Sequence, residues 1–130
     1  MKKRIVFVVV FMFIIYLIIN MPYKIKILKP DKYVSVSGLY FGDYECNTTD
    51  EKKIVKFINY VNNLKKFRLF IPKNTSNSPD VLINLINSNG EKEKLVFHGN
   101  LMLYNGNQYE IDDNEWLQMK FKLNEIFAEG

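Results

Sequence analysis

Two stretches of the chain carry apolar residues at helical spacing. The first holds Ile54, Phe57, Ile58, Val61 and Leu64, which fall within about 120° of one another around a helix. The second holds Trp116, Met119, Leu123, Ile126 and Phe127, a stripe about 100° wide. Thr48 with Glu51, and Asp112 with Glu115, have the spacing of capping boxes. The pattern predicts amphipathic helices near residues 49–66 and 113–128.

Between these helices, apolar runs are separated by three turn sites, Asn89-Gly90, Gly99-Asn100 and Asn105-Gly106. Their spacing is typical of an antiparallel meander. Pairing through the turns predicts a core face of Leu82, Phe97, Met102, Tyr109 and Ile111, with Leu95 and Tyr104 beside them. The opposite face is predicted to mix Val81, Ile83, Val96, Leu101 and Leu103 with Lys94, His98, Gln108 and Glu110.

Extended segments also surround the first helix. We expect a strand over residues 23–29, a turn at Pro30-Asp31, a second strand from Tyr33 to Phe41 and a short strand over residues 67–71. Residues 22–130 are therefore predicted to form one α+β domain. Its antiparallel sheet includes the C-terminal meander and is covered by the two amphipathic helices.

A cationic start and an unbroken apolar run precede this domain. Lys2, Lys3 and Arg4 lead into IVFVVVFMFIIYLII, residues 5–19. Fifteen residues match the hydrophobic region of a secretion signal and are short for a spanning helix, which needs roughly 17 to 25. Because the following stretch NMPYKIKILKPDKYV lacks the small residues a signal peptidase reads, we predict an uncleaved transmembrane signal-anchor over residues 1–21. A cleaved signal that releases the domain and a buried core helix are the alternatives.

The charges around this segment predict its orientation. Lysines 24, 26, 29 and 32 oppose the positive-inside bias of the N-terminus. A short cationic start is nevertheless the usual form of a signal-anchor, so we predict a single-pass cell-membrane protein whose domain lies on the extracytoplasmic side. No cysteine follows the apolar run, which excludes a lipoprotein-type anchor.

Composition excludes several classes of function. The formal charge is +4, but three of the 18 basic residues precede the apolar run, leaving 15 against 14 acidic residues. That balance leaves no basic stripe for phosphates, and we predict no nucleic-acid partner. A single cysteine, Cys46, excludes an intramolecular disulfide and a two-thiolate metal site.

The segments TDEKKIVKFINYVNNLK and SPDVLINLINSNGEKEKLVFHGNLMLYNGNQYEID, followed by the closing amphipathic helix, carry a resemblance over residues 48–127. In this order the chain resembles small uncharacterised membrane-anchored or lipoprotein families of Gram-positive bacteria. The resemblance implies no activity that can be assigned to a residue. The absent acylation cysteine departs from the lipoprotein members, which leaves the apolar segment as the anchor.

The sequence offers few groups for chemistry. His98 and Glu110 are weak polar candidates, because a His-Glu pair on one sheet face can transfer protons, but no nucleophile is placed beside them. Cys46 precedes a helix, a position that can lower a thiol pKa. Asp43 and Glu45 share a strand face in the manner of a carboxylate pair. We predict no catalytic residue, no cofactor and no metal site.

Leu117 and Phe121 lie outside the apolar stripe of the last helix. They either pack against the first helix or form an interaction surface. The favoured function is a non-catalytic, membrane-tethered domain that binds a protein or cell-envelope component. The alternatives are a carboxylate-dependent envelope hydrolase and a secreted domain released by signal cleavage.

Overall fold

The computed structural model describes residues 2–20, 23–24, 26–42, 44–74 and 78–128. Three helices are present in these ranges: α1 (Lys2–Asn20), α2 (Glu51–Asn63) and α3 (Asp113–Phe127). The strands are β1 (Tyr23–Lys24), β2 (Tyr33–Tyr40), β3 (Tyr44–Thr48), β4 (Lys65–Leu69), β5 (Val81–Asn87), β6 (Lys92–His98), β7 (Leu101–Tyr104) and β8 (Asn107–Ile111).

The strands described here form one sheet in the order β1-β4-β8-β7-β6-β5-β2-β3, and every neighbouring pair is antiparallel. Strands β5 to β8 are consecutive neighbours, so the predicted C-terminal meander is confirmed. The β2–β3 hairpin extends it on one side, and β4 with β1 extends it on the other. The α+β class with an antiparallel sheet is confirmed.

Helices α2 and α3 cover one face of this sheet, hereafter the covered face. The apolar stripe of α2 is buried as predicted, and Met119 and Leu123 of α3 are buried below 2% exposure. Trp116 stacks on Phe97 with 6.2 Å between ring centroids and packs against Phe41 in a tilted arrangement at 5.5 Å. Period-two strands and period-3.6 helices therefore bury their apolar sides against each other.

The prediction of which face of β5 points to the core is wrong. A two-residue turn at Asn89-Gly90 would oppose Leu82 to Phe97, but the observed register opposes Val81 to Phe97 and Leu82 to Val96. The loop has three residues, since the Asn87 amide donates to the Glu91 carbonyl at 3.0 Å. A shift of one residue exchanges the faces of a strand. Val81 and Ile83 are therefore buried in the core, and Leu82 lies on the opposite face.

The helix starts differ from prediction in detail. Asp50, not Thr48, caps α2, with its Oδ1 accepting from the Lys52 amide at 3.0 Å. Asp112 occupies the cap position of α3 without a side-chain cap bond. Glu115 accepts instead from the backbone amide of Lys65 and so ties α3 to the start of β4.

The segment between α1 and β2 is less regular than the predicted strand over residues 23–29. Only Tyr23–Lys24 is assigned to a strand among its described residues. The buried side chain of Asn62 fixes the following residues to α2. Its Oδ1 accepts from the amides of Ile27 and Leu28, each at 3.0 Å, and its Nδ2 donates to the Leu28 carbonyl at 2.8 Å.

Helix α1 occupies the predicted leader. Its large apolar side chains over residues 5–18 are 40–74% exposed. Within the described part of the chain, no helix combines the length and the apolar character needed to cross a membrane. The helix over residues 2–20 is thus confirmed, and its predicted transmembrane character is not.

Candidate functional site

The second face of the sheet, hereafter the uncovered face, is packed against neither α2 nor α3. Cross-strand partners place apolar side chains on it that are half-buried or exposed: Leu39, Phe67, Leu82, Val96, Leu101 and Leu103. Val96, Leu101 and Leu103 were predicted on this face and are found here, whereas Leu82 was predicted on the core face. A sheet face that keeps this much apolar surface in contact with solvent is a candidate binding surface.

A cavity of about 370 Å³ lies at one end of the uncovered face. Its floor includes Val96 and Leu103, and one wall is the chain that follows β4. Gln108 holds that wall by accepting from the Lys73 amide at 2.8 Å and donating to the Lys73 carbonyl at 3.0 Å. Its volume lies in the range of small-ligand pockets, but it is widely open to solvent and is therefore a surface groove with an apolar floor and a few polar groups.

His98 and Glu110 share the uncovered face but do not form a pair. Each lies opposite Leu101, so the β7 strand separates them. Glu110 faces Lys73 instead, with 3.8 Å between the carboxylate and the ammonium nitrogen. The Nδ1 atom of His98 is buried and has no hydrogen-bond partner among the described residues. Neither residue lines the cavity described above.

Leu117 and Phe121 lie on the outer side of α3 and are 78% and 71% exposed. Of the two arrangements expected for them, the structure therefore shows the exposed one and not packing against α2. Lys120 lies between them in sequence and places its Nζ 5.1 Å from the ring centre of Tyr44. The pair is a small apolar patch, and its role as an interaction surface stays a prediction.

The other residues considered for chemistry do not form a site. Cys46 is buried in β3, and burial raises the pKa of its thiol to about 11. A thiol that stays protonated at neutral pH is a poor nucleophile. Glu45 is exposed on the same strand, while Asp43 lies outside the described residues, so the predicted carboxylate pair is not tested.

A cluster that the sequence analysis missed lies at the edge of the covered face. Glu93 of β6 accepts from Lys32 Nζ at 2.6 Å, from the Tyr104 hydroxyl at 2.7 Å and from the Tyr33 hydroxyl. The two hydroxyl oxygens are 2.9 Å apart. A period-two reading already places Glu93 on the face of Leu95 and Phe97, which is the signal that could have identified it.

The electrostatics of this cluster favour a structural role. Burial alone would raise the pKa of Glu93, but hydrogen bonds from Lys32, Tyr33 and Tyr104 outweigh it and hold the pKa below its usual range. Burial and the bond to Glu93 raise the pKa of Tyr33 well above its usual range. The carboxylate stays ionised and accepts from three donors, so it is a weak base that ties β2 to β6 and β7.

A second buried ionisable group, Lys66, closes the end of α2. Its Nζ donates to the carbonyls of Val61 at 3.0 Å, Asn62 at 3.3 Å and Leu64 at 2.9 Å. These carbonyls lie at the C-terminal end of α2, where the regular helix bonds run out, although the Val61 carbonyl also accepts from the Leu64 amide at 3.2 Å. A cation at this position complements the helix dipole. Burial lowers the pKa of Lys66 to about 8, against the charge of Glu115, which raises it.

The described residues contain no group of three His, Cys, Asp or Glu side chains that could hold a metal ion. Comparisons of the chain with protein-family models, with curated proteins and with solved structures found no match. The resemblance to small membrane-anchored or lipoprotein families therefore stays a prediction.

Proposed function

We propose that this chain is a membrane-attached, non-catalytic binding protein. Helix α1 attaches it to the cell membrane, and the α+β domain, residues 22–130, binds a protein or cell-envelope component on the extracytoplasmic side. The observation that carries the binding proposal is the uncovered face, where half-exposed apolar side chains lead to a cavity of about 370 Å³.

Membrane attachment is supported by the surface of α1. Its apolar side chains are exposed on every side of the helix. Such a helix is stable when a core or a lipid phase surrounds it. The apolar run of 15 residues is about 22 Å long against roughly 30 Å of hydrocarbon, so we propose that snorkelling of Lys2, Lys3 and Arg4 and local thinning of the bilayer make up the difference.

The absence of a catalytic role is proposed from the state of the ionisable groups. Glu93 already accepts from three donors, the raised pKa of the Cys46 thiol keeps it protonated at neutral pH, and His98 is separated from Glu110. None of these arrangements supplies a base beside a nucleophile. Binding needs no such pair, and the near-neutral domain fits a partner recognised largely by apolar contact.

Site-specific photo-crosslinking in native membranes tests the binding proposal. A photoreactive amino acid at Leu103 on the uncovered face should give one discrete adduct, and the same probe at Leu117 tests the patch on α3. The exposed residue Glu91 is the matched control, because it lies in the β5–β6 loop and belongs neither to the cavity lining nor to the patch on α3. Equal adducts at all three positions, or none at Leu103 and Leu117, would contradict the proposal.

The orientation is tested with a cysteine at Asn89, in the exposed loop of the β5–β6 hairpin, in a Cys46→Ala background. In intact protoplasts a membrane-impermeant maleimide should label it, and the protein's mass should include residue 1. Labelling only after lysis would place the domain inside. A mature protein that starts beyond residue 20 would establish a cleaved signal.

A further inference from the structure

We propose that Phe70 and Ile71, hereafter the apolar tip, insert into the headgroup region of an anionic lipid membrane beside α1. The inference rests on the membrane attachment proposed above and adds a second contact to it. The domain would then lie on the bilayer in one fixed orientation, with the cavity of the uncovered face next to the lipid surface.

The apolar tip is the first observation. Phe70 and Ile71 directly follow β4 and are 73% and 85% exposed. They are held in place at both ends, since Leu69 pairs with Gln108 in the sheet and the Lys73 backbone is bonded to the Gln108 side chain. Two adjacent large apolar side chains kept in solvent by an ordered segment are a feature of surfaces that contact another phase.

The path of the chain from α1 points to the same end of the sheet. In the antiparallel β1–β4 pair, Tyr23 lies opposite Lys66 and Lys24 opposite Lys65. Because the two strands run in opposite directions, Tyr23, the end of β1 that follows α1 in the chain, is also the end of β1 nearer to Leu69 and the apolar tip. The chain therefore enters the sheet from α1 at the end of β1 that is nearer to the tip.

The connection between α1 and the sheet is short. Only residues 21 and 22 separate Asn20 from Tyr23, which limits the distance between these two Cα atoms to about 11 Å. The domain side of the connection is anchored by β1 and by the Asn62 bonds to Ile27 and Leu28. A membrane that contains α1 thus lies within reach of the tip.

Charge around the tip favours an anionic surface. Arg68 places its guanidinium 5.7 Å from the ring centre of Phe70, and Arg68 and Lys94 line the adjacent cavity. The cavity lining contains no acidic residue among the described part of the chain. Cations beside exposed apolar groups attract anionic headgroups while the apolar groups enter the interface.

The test uses the full-length chain in a Cys46→Ala background with one cysteine carrying an environment-sensitive fluorophore. The cysteine replaces Ile71 in the apolar tip, Phe13 in α1 or Leu117 in the patch on α3. Leu117 is the matched control, because it is an equally exposed apolar residue on the helix layer. The probe is a vesicle of phosphatidylcholine and phosphatidylglycerol with acyl chains brominated to quench the fluorophore.

We expect a blue shift and loss of emission at positions 13 and 71 and little change at 117, with the signal at 71 weaker in phosphatidylcholine alone. Quenching at 13 without quenching at 71 would overturn this inference and leave the proposed membrane attachment standing. No quenching at 13 would overturn the attachment and the inference with it. Equal quenching at 71 and 117 would overturn the inference in favour of unspecific adsorption to the vesicle. A blue shift at 71 before vesicles are added would overturn it in favour of self-association.

Discussion

The covered and uncovered faces belong to the same strands, yet they differ in how far their buried polar groups are hydrogen-bonded. On the covered face, Glu93 and Lys66 each have three hydrogen-bond partners. On the uncovered face, buried atoms of Asn84 and His98 have no partner among the described residues. The buried charged groups of the covered face are therefore satisfied within the fold, although the Tyr60 hydroxyl of α2 is also buried without a partner among the described residues, whereas the unpartnered atoms of Asn84 and His98 on the uncovered face can still bond to water or a ligand.

The sharpest test of this comparison replaces one leucine by alanine on each face. Leu95→Ala on the covered face should lower the free energy of unfolding by about 2 to 5 kcal/mol, because it leaves a cavity in a fully buried core. Leu103→Ala on the uncovered face should cost about 1 kcal/mol or less. Urea unfolding followed by the fluorescence of Trp116 measures both. Equal losses would show that both faces are core.

Glu93 on the covered face and Glu110 on the uncovered face allow a second matched pair of variants. Glu93→Gln should destabilise by about 1 to 3 kcal/mol, because it replaces charge-assisted hydrogen bonds from Lys32, Tyr33 and Tyr104. Glu110→Gln, beside Lys73 at 3.8 Å on the uncovered face, should change stability by about 0.5 kcal/mol or less. Thermal unfolding at neutral pH compares them, and a silent Glu93→Gln variant would remove the structural role argued for this cluster.

The buried Lys66 of the covered face makes the stability of the fold dependent on pH. Its pKa is about 8 when folded and near 10.5 when unfolded. Between these values the unfolded chain holds a proton that the folded chain has lost, so the free energy of unfolding should rise with pH, by about 1 to 3 kcal/mol across the window.

Denaturant unfolding between pH 8 and about 9.5 measures this rise in a Cys46→Ala background, because the raised pKa of the Cys46 thiol would otherwise oppose it within this range. Above that range, tyrosines with raised pKa values, Tyr33 and Tyr60, act in the opposite direction, since the unfolded chain loses their protons first. Lys66→Met is the control and should show a flatter profile. An identical slope in the variant would refute Lys66 as the source.

The sequence predicted the layers of this fold better than the details that select between its faces. The stripes of α2 and α3 and the meander turns follow from periodicity alone, and the structure confirms them. The face of β5 does not, because a three-residue loop and a two-residue loop differ by one residue in register. Asn87 selects the longer loop by accepting from the amides of Asn89 at 3.0 Å and Glu91 at 2.9 Å.

The candidate site was predictable only in part for a related reason. Leu101 and Leu103 were placed correctly on the uncovered face, and the exposure of Leu117 and Phe121 was one of two alternatives. The Glu93 cluster joins residues that are 60 and 71 positions apart in sequence. Periodicity reports which way a side chain points, but only the order of strands in the sheet determines which distant side chains meet.

The smallest predicted effect concerns His98. Its side chain is half-buried on the uncovered face, where Nδ1 has no partner among the described residues, so His98→Ala should change the free energy of unfolding by about 0.5 kcal/mol or less. If the uncovered face binds a partner, the same variant should weaken the crosslink from Leu103 while leaving the melting temperature unchanged. A loss above about 2 kcal/mol would instead mean that His98 holds the fold, and the contrast between the two faces would fail at that position.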